Sequence, residues 1–111
     1  MVDRIKTALG LEHVLLAESI PGPISRVAVA AGSAGDSFRA ALSAGAQLYL
    51  TGEMRHHDVL AATAAGMAVV CVCHSNSERI TLHKLAQTLT AKLDGVEVRV
   101  SEACRDPFEI V

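Results

Sequence analysis

The fold is decided by residues 48–79, LYLTGEMRHHDVLAATAAGMAVVCVCHSNSER. This stretch reads as a short apolar strand, a turn that carries His56 and His57, a helix of small residues and a second apolar strand. The second strand leads to His74 and, four residues on, Glu78. Strand ends of an open parallel α/β sheet face one crevice, where ligand sites form. The sequence therefore predicts that four side chains able to bind a divalent metal lie just after two strand ends.

The segments on either side continue the alternation of helical and strand patterns. In chain order we predict a helix at 2–9, strands at 13–17 and 26–31, a helix at 36–44, a strand at 47–50, a helix at 54–65, a strand at 68–73, a helix at 77–92 with a leucine stripe at 82, 85, 89 and 93, and an edge strand at 96–100. This order predicts an α/β fold. We expect a single three-layer domain over residues 1–111, with a mostly parallel sheet and helices on its faces.

Composition narrows the class of protein. The formal net charge is −2 and the basic residues are scattered, which argues against a nucleic-acid partner. The first ten residues lack the apolar centre of a targeting peptide. The longest uncharged run, 59–73, is shorter than the roughly 18 residues of a membrane span. Three cysteines do not form a paired disulfide framework. We expect a cytoplasmic protein with no membrane partner.

His74 and Glu78 are the first candidates for chemistry. An imidazole and a carboxylate separated by one strand-to-helix turn are both ligands for zinc, manganese, iron or nickel. A structural alternative exists, because residues 75–78 read Ser-Asn-Ser-Glu and match a capping box in which the glutamate only closes a helix start. Spacing alone leaves both interpretations open.

His56 and His57 fall in the first turn of the next predicted helix. Adjacent helical residues point about 100° apart, so a single metal is not expected to bind both. One ligand with a neighbouring partner, or two bridged metals, would use the pair; two solvated histidines on a polar face are the simpler alternative. Glu53 and Asp58 are weaker candidates, because an acidic residue in a first helical turn also suits the helix dipole.

Two further features favour structural roles. The loop 32–36, Gly-Ser-Ala-Gly-Asp, lacks the lysine of a phosphate-binding loop and matches a capping box. Cys71 and Cys73 are two apart in an apolar strand, where cysteine more often acts as a small hydrophobe than as a nucleophile. Cys73 lies at the strand end beside His74, where contact with the crevice is the minor alternative to a buried position.

Four runs of this chain resemble the C-terminal half of the Nif-three-like family: RVAVAAGSAGDSF at 26–38, GAQLYLTGEMRHH at 45–57, AVVCVCHSNSER at 68–79 and DPFEIV at 106–111. The most specific motifs are H-x-x-x-E-R, matched by His74, Glu78 and Arg79, and T-G-[DE]-x-x-x-H, matched by residues 51–57. Members of that family are described as ring-forming hexamers with a dinuclear metal centre, and some as GTP cyclohydrolase type-2-like proteins.

The resemblance implies that His74 and Glu78 bind a divalent metal ion and that the chain forms a homo-oligomer, a dimer or a larger assembly up to a hexamer. This chain has Cys73 where the family usually has glycine. The remaining family ligands, a His-His pair and an aspartate, belong to an N-terminal half that this chain does not match. We therefore hypothesise that His56 or His57 completes a reduced site, and that a C₂ homodimer imitates the two halves.

These observations support two functions. The first is a metal-dependent hydrolase for a small phosphorylated or nucleotide-like substrate, with Glu53 or Asp58 as a base. The second is a non-catalytic metal-binding or scaffold protein, which the reduced ligand set favours slightly. A third interpretation, without metal, is a small interaction domain in which Glu78 only caps a helix.

Overall fold

The computed structural model describes residues 1–18 and 22–110. Its helices and strands are, in chain order, α1 (Val2–Leu9), β1 (Leu15–Ala17), β2 (Val27–Ala30), α2 (Phe38–Ser43), β3 (Leu48–Thr51), α3 (His56–Ala64), β4 (Ala68–Cys71) and α4 (His74–Thr90). A 3-10 turn, Gly35–Ser37, leads directly into α2. The alternation of strands and helices confirms the predicted α/β class.

The strands form one sheet in the order β1-β4-β3-β2. β2, β3 and β4 are parallel, with Leu48 opposite Ala68 in the β3–β4 pair. β1 is antiparallel to β4, with Leu15 opposite Cys71. The sheet is therefore mostly parallel, as expected, with one antiparallel edge strand that the sequence pattern did not indicate.

Side chains that alternate along β3 and β4 build a core on each face of the sheet. One core contains Phe38 from α2 and Ala62 from α3 packed with Tyr49, Met67 and Val69. The other contains Ile5 from α1 packed with Leu48, Ala68, Val70 and Val72, and α4 contacts α1 on this side. Because successive strand residues point to opposite faces, the fully buried strand β4 needs cover on both. This is the predicted three-layer arrangement.

The predicted edge strand at 96–100 is wrong. The sheet of the described residues consists of β1, β4, β3 and β2, and residues 96–100 pair with none of these strands. Residues 96–100 run as irregular chain in which Val98 and Val100 are half-buried, while Glu97 and Arg99 form an exposed ion pair at 2.6 Å. The alternation of apolar and polar residues at 96–100 therefore marks a segment that lies along the surface and pairs with no strand of the described residues.

The last helix also departs from expectation. β4 ends at Cys71 and α4 begins at His74, so the helix starts three residues earlier than predicted. No residue of α4 is buried, and three members of its leucine stripe, Leu82, Leu85 and Leu93, are exposed. Among residues 1–18 and 22–110, no helix has the length and apolarity needed to cross a membrane.

Core packing around β3 predicts a contrast between two leucines. Leu48 is 1% exposed in β3, whereas Leu60 is 53% exposed in α3. Leu48→Ala is expected to lower the free energy of unfolding by about 3 kcal/mol, because it leaves a cavity between sheet and helices. Leu60→Ala is expected to change it by less than about 0.5 kcal/mol. Urea denaturation followed by circular dichroism measures both, and equal losses would contradict the assigned core.

Candidate functional site

The site is centred on His74, the first residue of α4. Its Nδ1 lies 2.9 Å from Oε1 of Glu53, which follows β3, and its Nε2 lies 3.3 Å from Oε1 of Glu78. Because β3 and β4 are neighbouring parallel strands, the segments after them meet at one sheet edge. The expected meeting of side chains at strand ends therefore occurs, but the partner from the β3 side is Glu53, which the sequence pattern had ranked low.

Glu78 does not cap the helix. α4 has Cys73 as its N-cap residue and shows no side-chain capping hydrogen bond, so Glu78 lies a full turn inside the helix. There it faces His74 in an i,i+4 arrangement. The capping-box interpretation of residues 75–78 is therefore wrong, because the helix starts before the serine that it required.

The electrostatics of His74 follow from its two carboxylates. The hydrogen bond to Glu53 raises the pKa of the imidazole, and the negative charge of Glu78 raises it further. In the neutral ring, Glu53 holds the proton on Nδ1, since a carboxylate accepts and the ring nitrogen donates. That tautomer leaves the Nε2 lone pair directed away from Glu53, on the side of Glu78.

The glycine loop after β2 packs against the helical turn that carries His74 and Glu78. The backbone N–H of Gly32 donates to Oγ of Ser77 at 2.7 Å, and Ser77 in turn donates to the carbonyl of His74 at 2.6 Å. Gly32 has φ +69°, and a Cβ there would lie 2.8 Å from Oε1 of Glu78. The turn before α2 has no side-chain cap. The capping box expected at residues 33–36 is therefore not formed, and the loop serves the structure through these contacts, with Gly32 favoured by its positive φ.

His56 and His57 lie at the start of α3, as predicted, with their rings 5.8 Å apart. No hydrogen bond or ion pair of the described residues joins either one to His74. In residues 1–18 and 22–110, no group of three or more His, Cys, Asp or Glu side chains is arranged to hold a metal ion. Asp58 is engaged elsewhere, accepting from Arg55 Nε at 2.8 Å.

Cys73 joins β4 to α4 in an unusual conformation. Its φ is +67° and its ψ is +153°, and it is the non-glycine residue with positive φ in the described chain. Such a conformation costs on the order of 1–3 kcal/mol for a residue with a side chain. Burial raises the pKa of both the Cys73 and the Cys71 thiols, which keeps them protonated. Neither thiol is therefore prepared as a nucleophile.

A glycine at position 73 is predicted to stabilise the protein. Cys73→Gly relieves the positive-φ strain and is expected to raise the free energy of unfolding by about 1 kcal/mol after the entropy of the extra glycine is subtracted. Cys73→Ala removes the same sulfur but keeps the strain, so it is the matched control and should show no such gain. Denaturation under reducing conditions measures both, and equal stability of the two variants would argue against strain at this turn.

A cavity of about 520 Å³ adjoins His74. It is lined by Leu15 of β1, by residues 52–54 after β3, by Cys71, Cys73, His74 and Ser75, and by residues 106–108. Ser75 donates to Oδ2 of Asp106 at 2.7 Å, and the N–H of Phe108 donates to Oδ1 of the same carboxylate. Cys73 borders this cavity at the strand end, whereas Leu15, Asp106 and Phe108 could not be predicted to lie here, because no local pattern links those segments to the strand ends.

The sequence was compared with known proteins. The profile of the family described as Duf34/NIF3 (NGG1p interacting factor 3) matches residues 1–107. The chain belongs to this family. The DUF34/NIF3 match confirms the resemblance seen in the sequence and extends it through α1 and β1, ahead of the first run that resembled the family.

Several DUF34/NIF3 relatives align along the whole chain. NIF3-like protein 1 of Bos taurus is 40% identical over 116 residues, and a GTP cyclohydrolase 1 type 2 homolog of Clostridium perfringens is 32% identical over 112 residues. The chain spans 30% of the first and 43% of the second. A solved Bacillus cereus protein related to NIF3 superposes with a TM-score of 0.90 at 25% identity, over 98% of this chain and 31% of that one.

The distance between the donor atoms beside His74 can be compared with the spacing of ligands around a metal ion. Two ligands about 2.1 Å from a tetrahedral metal lie roughly 3.4 Å apart. The 3.3 Å between His74 Nε2 and Glu78 Oε1 matches that spacing. Glu53 on the opposite ring nitrogen matches the carboxylate that commonly orients a ligating histidine. Because Glu53 and Glu78 lie on opposite nitrogens, the described chain supplies two converging donors.

Proposed function

We propose that this DUF34/NIF3 chain binds a divalent metal ion through His74 Nε2 and the Glu78 carboxylate, in a non-catalytic metal-binding or scaffold role. The observation that carries the proposal is the arrangement around one imidazole, with Glu53 at 2.9 Å on Nδ1 and Glu78 at 3.3 Å from Nε2. The donors are an imidazole and a carboxylate, which suit zinc, manganese, iron and nickel.

Two donors are fewer than a structural metal site uses, since such sites have four ligands. The missing ligands must come from outside the described contacts of one chain. His56 and His57 are exposed at the start of α3 and are free of hydrogen bonds among the described residues, so they are available to a second copy. A homodimer in which each copy supplies one of these histidines to its partner's site raises the number of protein ligands to three and links the two copies, as a scaffold role requires.

The alternative function is a metal-dependent hydrolase, and the cavity beside His74 is the observation that favours it. His74 and Glu78 would hold the divalent metal, which would supply Lewis acidity to lower the pKa of water toward neutrality. The nucleotide-like substrate class has support from the relative described as a GTP cyclohydrolase 1 type 2 homolog. Two hydrogen bonds argue against a role of Glu53 or Asp58 as the catalytic base. Glu53 is hydrogen bonded to His74, and Asp58 is hydrogen bonded to Arg55. These bonds fit positioning roles better.

Metal content tests the site directly. Untagged protein, reconstituted with zinc, manganese or iron and dialysed, is expected to retain near-stoichiometric metal by elemental analysis. His74→Ala and Glu78→Gln should each remove most of it, because each deletes one of two converging donors. His83→Ala changes an exposed histidine of the same helix and is the control. Wild-type protein without metal after reconstitution, or equal losses in all three variants, would contradict the proposal.

The shared site predicts a dimer that depends on metal. The molar mass from light scattering at micromolar concentration is expected to be that of two or more chains with metal and to fall when a chelator is added. His57→Ala and His56→Ala are compared, and one of them should lower metal content and weaken association together. A monomer in the presence of metal would refute the dimer, and unchanged metal content in both variants would show that neither histidine is a ligand.

A further inference from the structure

The cavity next to His74 is lined by both apolar and acidic side chains. Its walls are apolar and come from three separate parts of the chain, namely Leu15 of β1, Met54 before α3 and the pair Pro107–Phe108. Its volume of about 520 Å³ falls in the range of sites for small organic molecules. Such walls match an apolar body of ring size, which aromatic and thioether side chains contact well.

The polar groups of the cavity are acidic. Glu53 and Asp106 both line it, and the described lining residues include no lysine or arginine. Hydrogen bonds from Ser75 and from the backbone of Phe108 lower the pKa of Asp106, so its carboxylate is ionised near neutral pH. Arg79 contributes to that lowering, but its guanidinium is hydrogen bonded to Asn76 and Ser75 and does not line the cavity.

The cavity and the proposed metal site lie on opposite sides of the His74 ring. Glu53, on Nδ1, lines the cavity, whereas Glu78, on the Nε2 side, and Gly32 beside it are absent from the described lining. A ligand in the cavity therefore meets Glu53 and Asp106 and does not need the metal donors.

We propose that this cavity binds a small organic amine, with its apolar ring against Leu15, Met54 and Phe108 and its ammonium group between Glu53 and Asp106. Charge complementarity selects the cation, because the described lining includes the two carboxylates of Glu53 and Asp106 and no lysine or arginine. The same carboxylates repel phosphorylated molecules, so this proposal and the hydrolase alternative for a phosphorylated substrate exclude each other at this cavity. The proposal goes beyond the metal site and does not depend on it.

Three probes that share one ring separate the possible head groups. Benzylamine, benzyl alcohol and benzyl phosphate are titrated into chelator-treated, metal-free protein and followed by NMR. Benzylamine is expected to bind most tightly, benzyl alcohol several-fold more weakly and benzyl phosphate not at all. Asp106→Asn keeps hydrogen-bonding capacity but loses the charge, so it should abolish the preference for benzylamine over benzyl alcohol.

Neighbouring leucines of β1 provide the matched control. Leu15 lines the cavity, and Leu16 is also exposed but points to the opposite face of the sheet. Leu15→Gln should weaken benzylamine binding about tenfold, since it removes an apolar wall, whereas Leu16→Gln should leave it unchanged. Both variants alter an edge strand, so equal folding by circular dichroism is checked first.

Several results would overturn the proposal: no benzylamine binding, benzyl phosphate binding as tight as benzylamine, or equal effects of the two leucine variants. Loss of benzylamine binding as the protein self-associates at rising concentration would overturn it as well, and would show that a second copy fills the cavity. Because all titrations use metal-free protein, failure here leaves the metal-content result standing, and absence of metal binding leaves this result standing.

Discussion

The parallel pairing of β3 with β4 is the constraint on which the rest of this structure depends. Thr51 lies opposite Cys71 at the end of the pair, and the segments that follow carry Glu53 and His74 to the same sheet edge. The pairing is held by a strand buried on both faces, Ala68–Cys71. A slip of one residue would invert every side chain of that strand and exchange the two cores. The position of His74 therefore follows from burial of residues that have no chemistry of their own.

The turn at Cys73 converts this register into a site. It uses a conformation that glycine adopts at low cost, and it places His74 at the first position of α4 with its backbone carbonyl bonded to Ser77. Ser77 also receives the N–H of Gly32, so the β2 loop is tied to the same helical turn. The positive φ lets the chain leave a buried strand and enter a helix within two residues. The strained backbone of Cys73 therefore accompanies the orientation of the His74 imidazole.

The two nitrogens of the His74 ring face different surroundings. Its Nε2 side, with Glu78, brings a nitrogen and an oxygen donor within 3.3 Å, and its Nδ1 side opens through Glu53 to a cavity lined by apolar and acidic side chains. Glu53 belongs to both, since it orients the ring and lines the cavity. The chain spans less than half of the DUF34/NIF3 relatives that it matches.

The sequence by itself determined the α/β class, the helices and parallel strands around residues 48–79 and the placement of His74 at a strand end, because hydrophobic period and glycine stops are local signals. Only the tertiary structure decided that Glu78 faces His74 and does not cap α4, that Glu53 is hydrogen bonded to His74, and that residues 96–100 pair with no strand of the described residues. It also brought Leu15, Asp106 and Phe108 to the cavity. These outcomes depend on a shift of about one turn in the start of α4 and on which distant segments lie at the same sheet edge. Both are set by register and packing between segments, which no local pattern records.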